Sequence, residues 1–124
     1  MTVLTEDRFA GAAHYIVSEA TGYRSRGTGV VASGAGVLKA GAVLGQVTAT
    51  KKFVAFAPAA SDGSQTAAAI LFEGCDATSA DVTRTLTLRD TEVHADVLHF
   101  AEGVTDAQKT AALASLAGHG IIAR

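Results

Sequence analysis

The sequence predicts a mainly β domain of the α+β class, with one helix near its C-terminal end. Two observations carry this. Between residues 23 and 100, short apolar runs rich in β-branched side chains alternate with glycines, the pattern of strands and turns. From Thr105 onward the pattern changes to a capped run of good helix formers. With 124 residues the chain fits one domain.

Taken in order, residues 1–22 mix Thr, Glu, Asp, Arg and Ala without an apolar stripe. They read as an N-terminal arm, mobile over residues 2–18 and carrying a short extended apolar segment, Ile16-Val17, beside Tyr15. An edge strand of the main fold is an equal reading of that segment. Residues 23–124 then form the globular part. Its strand candidates are Val30-Val31, Val43 to Thr50, Lys52 to Phe56, Ala68 to Phe72, Thr83 to Arg89 and Glu92 to Phe100. In the third, Phe53 and Ala55 face one way, Val54 and Phe56 the other. Pro58 ends that strand and opens a loop, Ala59 to Gln65, around the turn Ser61-Asp62-Gly63-Ser64. Ala68 to Phe72 reads as a fully buried strand. Thr83 to Arg89 alternates, with Leu86 and Leu88 on one face and Thr85, Thr87 and Arg89 on the other. In the last candidate Val93, Ala95, Val97 and His99 share a side.

The helix has the clearest local signal. Thr105-Asp106-Ala107-Gln108 is a capping box, in which Thr105 accepts from the Gln108 backbone and the Gln108 side chain answers. Asp106 complements the helix dipole. Helix formers continue to Leu116, with Ala112, Leu113 and Leu116 on one face, until Gly118 and Gly120 stop it. Ile121 to Arg124 is a final strand or a plug on the core.

Composition narrows function mainly by exclusion. Basic and acidic side chains number 10 and 12, and no Lys/Arg cluster exceeds a pair, so the basic stripe of a nucleic-acid binder is missing. No apolar run reaches the ~20 residues a spanning helix needs, and the N-terminal segment lacks the pattern of a secretory signal. No membrane partner is expected. Cys75 stands alone, which fits folding in a reducing cytoplasm. Hydrophobic residues make up 48% but aromatics only 6%, so the core is built from Ala, Leu, Val and Ile. Small side chains bury little area each, and burial against partner subunits would add to it.

No catalytic or metal-binding set emerges. His94 and His99 fall on opposite faces of a strand, and no His/Cys/Asp/Glu group has zinc spacing. His14 and His119 sit in segments read as arm and helix end. Cys75, between Gly74 and Asp76, reads as a small buried hydrophobe, because an adjacent carboxylate disfavours a thiolate. The glycines form neither GxGxxG nor a P-loop, the 61–64 turn lacks the GxSxG elbow, and Glu92 with Asp96 is a pair any acidic chain offers. No enzyme activity, cofactor or metal is expected. A second function class is a lipoyl- or biotinyl-type carrier or small-molecule-binding β domain. It rests on the turn at Lys39-Ala40-Gly41 and on Lys51-Lys52 between two strands, but the flanking residues of an acceptor lysine are missing.

Four stretches together resemble the lambda-type head decoration protein family of tailed bacteriophages. They are Ile16 to Ala20 through Tyr23-Arg24-Ser25-Arg26; Leu38-Lys39-Ala40-Gly41-Ala42-Val43-Leu44-Gly45; Asp62 to Leu71; and Ala117 to Arg124 with its Gly-Ile-Ile ending. Their order and spacing, not any one motif, carry the likeness over nearly the whole chain. The resemblance implies a compact β-clip-like domain and a structural virion protein. Such a protein is made in the host bacterial cytoplasm and placed on the capsid exterior. It also implies a homotrimer that binds the major capsid protein and stabilises the expanded head. Carried onto this chain, the capsid-binding arm includes Phe9, Tyr15, Ile16, Val17 and Ser18, with Ile16 and Val17 able to extend a capsid sheet.

Overall fold

The computed structural model describes residues 11–124, and within them the fold is mainly β with one helix near the C-terminal end, as the sequence predicts. The strands are β1 (Ile16–Glu19), β2 (Arg26–Val31), β3 (Gly36–Leu38), β4 (Val43–Gln46), β5 (Phe53–Ala55), β6 (Ala67–Leu71), β7 (Cys75–Ala77), β8 (Val82–Thr87), β9 (Thr91–Val93) and β10 (Ile121–Ala123). Helix α1 spans Asp106–Ala117. Strands β2-β5-β4-β6-β8 close into a small barrel, β3 and β7 pair at its side, and β1-β9-β10 form a three-stranded sheet.

Two apolar clusters share a wall. Along β4 and β6 successive side chains point to opposite faces, except that a register shift between Ala69 and Ala67 turns Ala67 to the side of Ile70. Val43, Ala67 and Ile70 join Tyr15, Phe56, Val93, Leu116 and Ile121 in a cluster beneath α1 and the three-stranded sheet. Leu44, Ala69 and Leu71 join Val31, Phe53 and Leu86 inside the barrel. A strand buried on both faces has no polar positions, which is why β6 reads Ala-Ala-Ala-Ile-Leu. Phe53 at the start of β5 and Phe56 just after it divide the same way, Phe53 into the barrel and Phe56 into the other cluster.

Close backbone approach explains two glycines. A Cβ at Gly45 would lie 2.5 Å from the Ser64 carbonyl oxygen. One at Gly29 would lie 2.6 Å from Leu86 and 2.7 Å from Phe53, inside the barrel.

The helix follows its sequence signal closely. Gln108 N–H donates to Thr105 Oγ1 (3.2 Å) and Thr105 N–H to Gln108 Oε1 (2.9 Å), completing the capping box. Ala112 and Leu116 are its buried residues. The turn at 61–64 also forms locally: Asp62 Oδ1 accepts from Ser64 N–H at 3.0 Å and from Ser64 Oγ at 2.5 Å. Of the two readings of Ile121 to Arg124, the strand is realised, as β10.

Two strand expectations change. The Val43–Thr50 strand stops at Gln46, because Thr48 N–H turns to the Asp62 carbonyl and Lys51 N–H to Val47. Glu92 to Phe100 is not one strand. After β9 the chain enters a 3₁₀ turn over Ala95–Val97, so His94 and His99 do not lie on opposite faces of a strand. Its backbone donors go elsewhere, His94 N–H to Tyr15 and Ala95 N–H to Arg124. In β8, Thr87 is fully buried, because its side faces the cluster that holds Tyr15. Strands β3 and β7 had no separate signal.

Candidate functional site

The surface that gathers most of the sequence-nominated residues is the sheet β1-β9-β10. Strand β9 lies in the middle, antiparallel to β1 and parallel to β10. Strand β1 is therefore an edge strand, the second of its two sequence readings. Its register on β9 shifts between Ile16 and Ser18, a bulge of the kind that occurs at sheet edges. Ile16 packs against the core, whereas Val17 is 46% exposed and Ser18 is exposed beside it. Across the sheet, Ile122 is 39% exposed.

Glu92 organises the outer face. Ser18 Oγ donates to its Oε1 at 3.1 Å, and Arg124 Nε to its Oε2 at 2.6 Å. These two donors, Arg124 first, hold the Glu92 carboxyl below the usual carboxylate range. One carboxylate thus ties the first strand to the last.

Tyr15 differs from its neighbours. Its side chain is fully buried, and its hydroxyl shares a hydrogen bond of 2.5 Å with Thr87 Oγ1. Burial first of all raises the phenol pKa well above its ordinary value. Tyr15 presents nothing to a partner; it anchors β1 to the barrel. Residues 15–19 are therefore part of the folded body rather than a free arm. Phe9, also nominated from sequence, lies outside the described residues.

Behind β1 a second latch was not legible in the sequence. Ser25 is wholly buried; its Oγ accepts from Ala20 N–H (2.9 Å) and donates to the Asp90 carbonyl (2.8 Å). The β1–β2 turn is so bound to the β8–β9 turn. Beside it, Arg26 pairs with Glu19 and stacks over Phe72 at 4.4 Å. A serine in a Tyr-Arg-Ser-Arg run carries no local sign that its acceptor, the Asp90 carbonyl, comes from 65 residues away.

Among the described residues no group of three or more His, Cys, Asp or Glu could hold a metal ion. Cys75 is buried in β7, and burial pushes its thiol pKa up. Lys52 bonds Asp81 at 2.6 Å. No helix among the described residues is long and apolar enough to cross a membrane. The surface offers a sheet edge, apolar side chains and charge pairs, which suit protein contact.

A family model described as bacteriophage lambda head decoration protein D matches residues 3–121, nearly the whole chain. No curated protein matches.

Proposed function

We propose a capsid-stabilising role on one premise: the chain belongs to the bacteriophage lambda head decoration protein family. In this reading it is a non-enzymatic structural protein, made in the host bacterial cytoplasm. It binds the outside of the expanded phage head as a homotrimer. The partner is the major capsid protein, and neither nucleic acid nor a cofactor takes part. A ligand that binds the expanded lattice and not the unexpanded one stabilises the former by mass action.

The observation that carries the reading is the family match, and the β1 edge supports where contact is made. Val17 and Ser18 lie exposed on an edge strand, and Phe9 and Ile16 belong to the same N-terminal segment. An exposed edge invites strand addition. Tyr15 secures this segment to the body, so tension on the arm is transmitted into the core through the Thr87 bond.

The test is binding to expanded heads, imaged by cryo-electron microscopy. Density at threefold positions is expected for the full chain. A variant lacking residues 2–10 keeps Tyr15 and should fold yet decorate heads weakly, as should Val17→Asp. If both bind as tightly as the full chain, the contact lies elsewhere. A lysine adduct in the intact mass of native protein would instead favour a carrier domain.

A further inference from the structure

We propose that the cleft beside β2 is an acceptor for a second copy of this chain, entered by strand β3 of that copy. The inference rests on the trimeric reading above and names the contact that reading lacks.

The barrel is barely closed at this point. Strand β2 runs along β8 from Arg26↔Thr87 to Val31↔Val82, but meets β5 only at Val31↔Phe53. Leu88 N–H donates to the Ser25 carbonyl, which sets the alternation of the β2–β8 ladder. Thr28, three residues beyond Ser25, therefore turns its N–H and C=O away from β8. On that side, among the described residues, stands a cleft of about 850 Å³ rather than a strand. Thr28 is exposed, and Tyr23, 80% exposed, stands next to it at the end of the same edge.

The cleft has an apolar lining and a basic rim. Val30, Phe53, Ala68 and Leu88 supply the first; Lys51, Lys52, Arg89 and His119 the second. Its one acid, Asp90, is already paired with Arg24 at 3.4 Å. Lys52 is held by Asp81, while Lys51 has no ion-pair partner among the described residues. The fitting occupant is a short extended segment with an exposed apolar side chain and an acid beside it.

Strand β3 meets that description. It belongs to a two-stranded sheet, so among the described residues its side away from β7 has no strand partner. Val37 is 72% exposed and lies opposite Asp76 in register, which puts both on one face. Asp76 is exposed and accepts a hydrogen bond from Thr78 Oγ1, and the nearby cation, Arg84, is turned to the Gly74 and Thr83 carbonyls. Acceptor and donor are different surfaces of one chain. Such a heterologous contact builds a ring when its rotation closes, as three copies about a threefold require.

Disulfide trapping tests this. Thr28→Cys and Val37→Cys are combined with Cys75→Ala, and the concentrated protein is oxidised. Two- and three-chain covalent species ending at a closed trimer are expected, with both single-cysteine controls lacking the three-chain species. Val37→Asp, at a side chain already exposed, should lose self-association that Val37→Ile retains. Absence of the three-chain species, or self-association unchanged in Val37→Asp, overturns the contact. Decoration of heads by the unmodified chain is scored separately. If it fails while trapping succeeds, the capsid role falls and the contact stands; the reverse pattern leaves decoration and removes this contact.

Discussion

The two clusters on either side of β4 and β6 are built from different parts of the chain. The barrel cluster draws on Val31 to Leu86, strands joined mostly by hairpins and short loops. The other cluster is assembled from the ends of the described chain: Tyr15 meets Leu116 and Ile121 over Val43 and Ile70. The first fills the barrel, and the second backs the sheet whose edge strand is β1.

The largest effect is expected from Tyr15→Ala. It removes a fully buried aromatic and should cost about 3–5 kcal/mol in urea unfolding. Hydrogen exchange sharpens the comparison: amides of β1 and β10 should lose protection while Leu44 and Leu71 in the barrel keep theirs. Uniform loss would show the two clusters to be one cooperative unit. Leu44→Ala probes the other side, at about 2–5 kcal/mol, and should weaken both regions because β4 is the shared wall.

Ser25→Ala leaves the Ala20 N–H and the Asp90 carbonyl without their partner, at a cost of about 1–3 kcal/mol. The loss should appear as faster exchange in the β1–β2 turn, and barrel exchange accelerated to the same degree would contradict the latch. Tyr15→Phe keeps the packing and removes one hydrogen bond, for about 1 kcal/mol.

The smallest effect is a pH dependence. Glu92, Asp81, Asp62 and Asp76 are held below the usual carboxylate range, chiefly by hydrogen bonds from Arg124, Lys52, Ser64 and Thr78 respectively. Their folded forms bind protons less readily than the unfolded chain. The stabilisation is therefore present above the ordinary range near pH 4 and is lost as pH falls through the lower folded values. Replacing Glu92 with Gln should flatten part of that slope in thermal melts taken between neutral and acid pH. An unchanged slope would remove Glu92 from the account.

Where all the partners lie within a few residues, sequence alone decided the outcome. The capping box at Thr105 and Gln108, the Asp62–Ser64 turn and the glycine stop after α1 are of this kind. The both-sided burial of β6 was legible too, because an uninterrupted Ala/Ile/Leu run suits no half-exposed strand. The residues carrying the family likeness, from Ile16 to Arg124, were equally readable. Tertiary structure alone decided whether Ile16-Val17 stands free or in a sheet, since β1 finds its partner more than 70 residues away in β9. It decided that Thr87 and Ser25 are buried, each matched by a polar group from a distant segment. It also broke the apolar alternation after Val93 with a 3₁₀ turn, by sending the donors of His94 and Ala95 to Tyr15 and Arg124. The physical reason is the same in each case. A buried polar group or an edge strand is stable only with its partner in place, and partners far apart in sequence leave no local pattern to read.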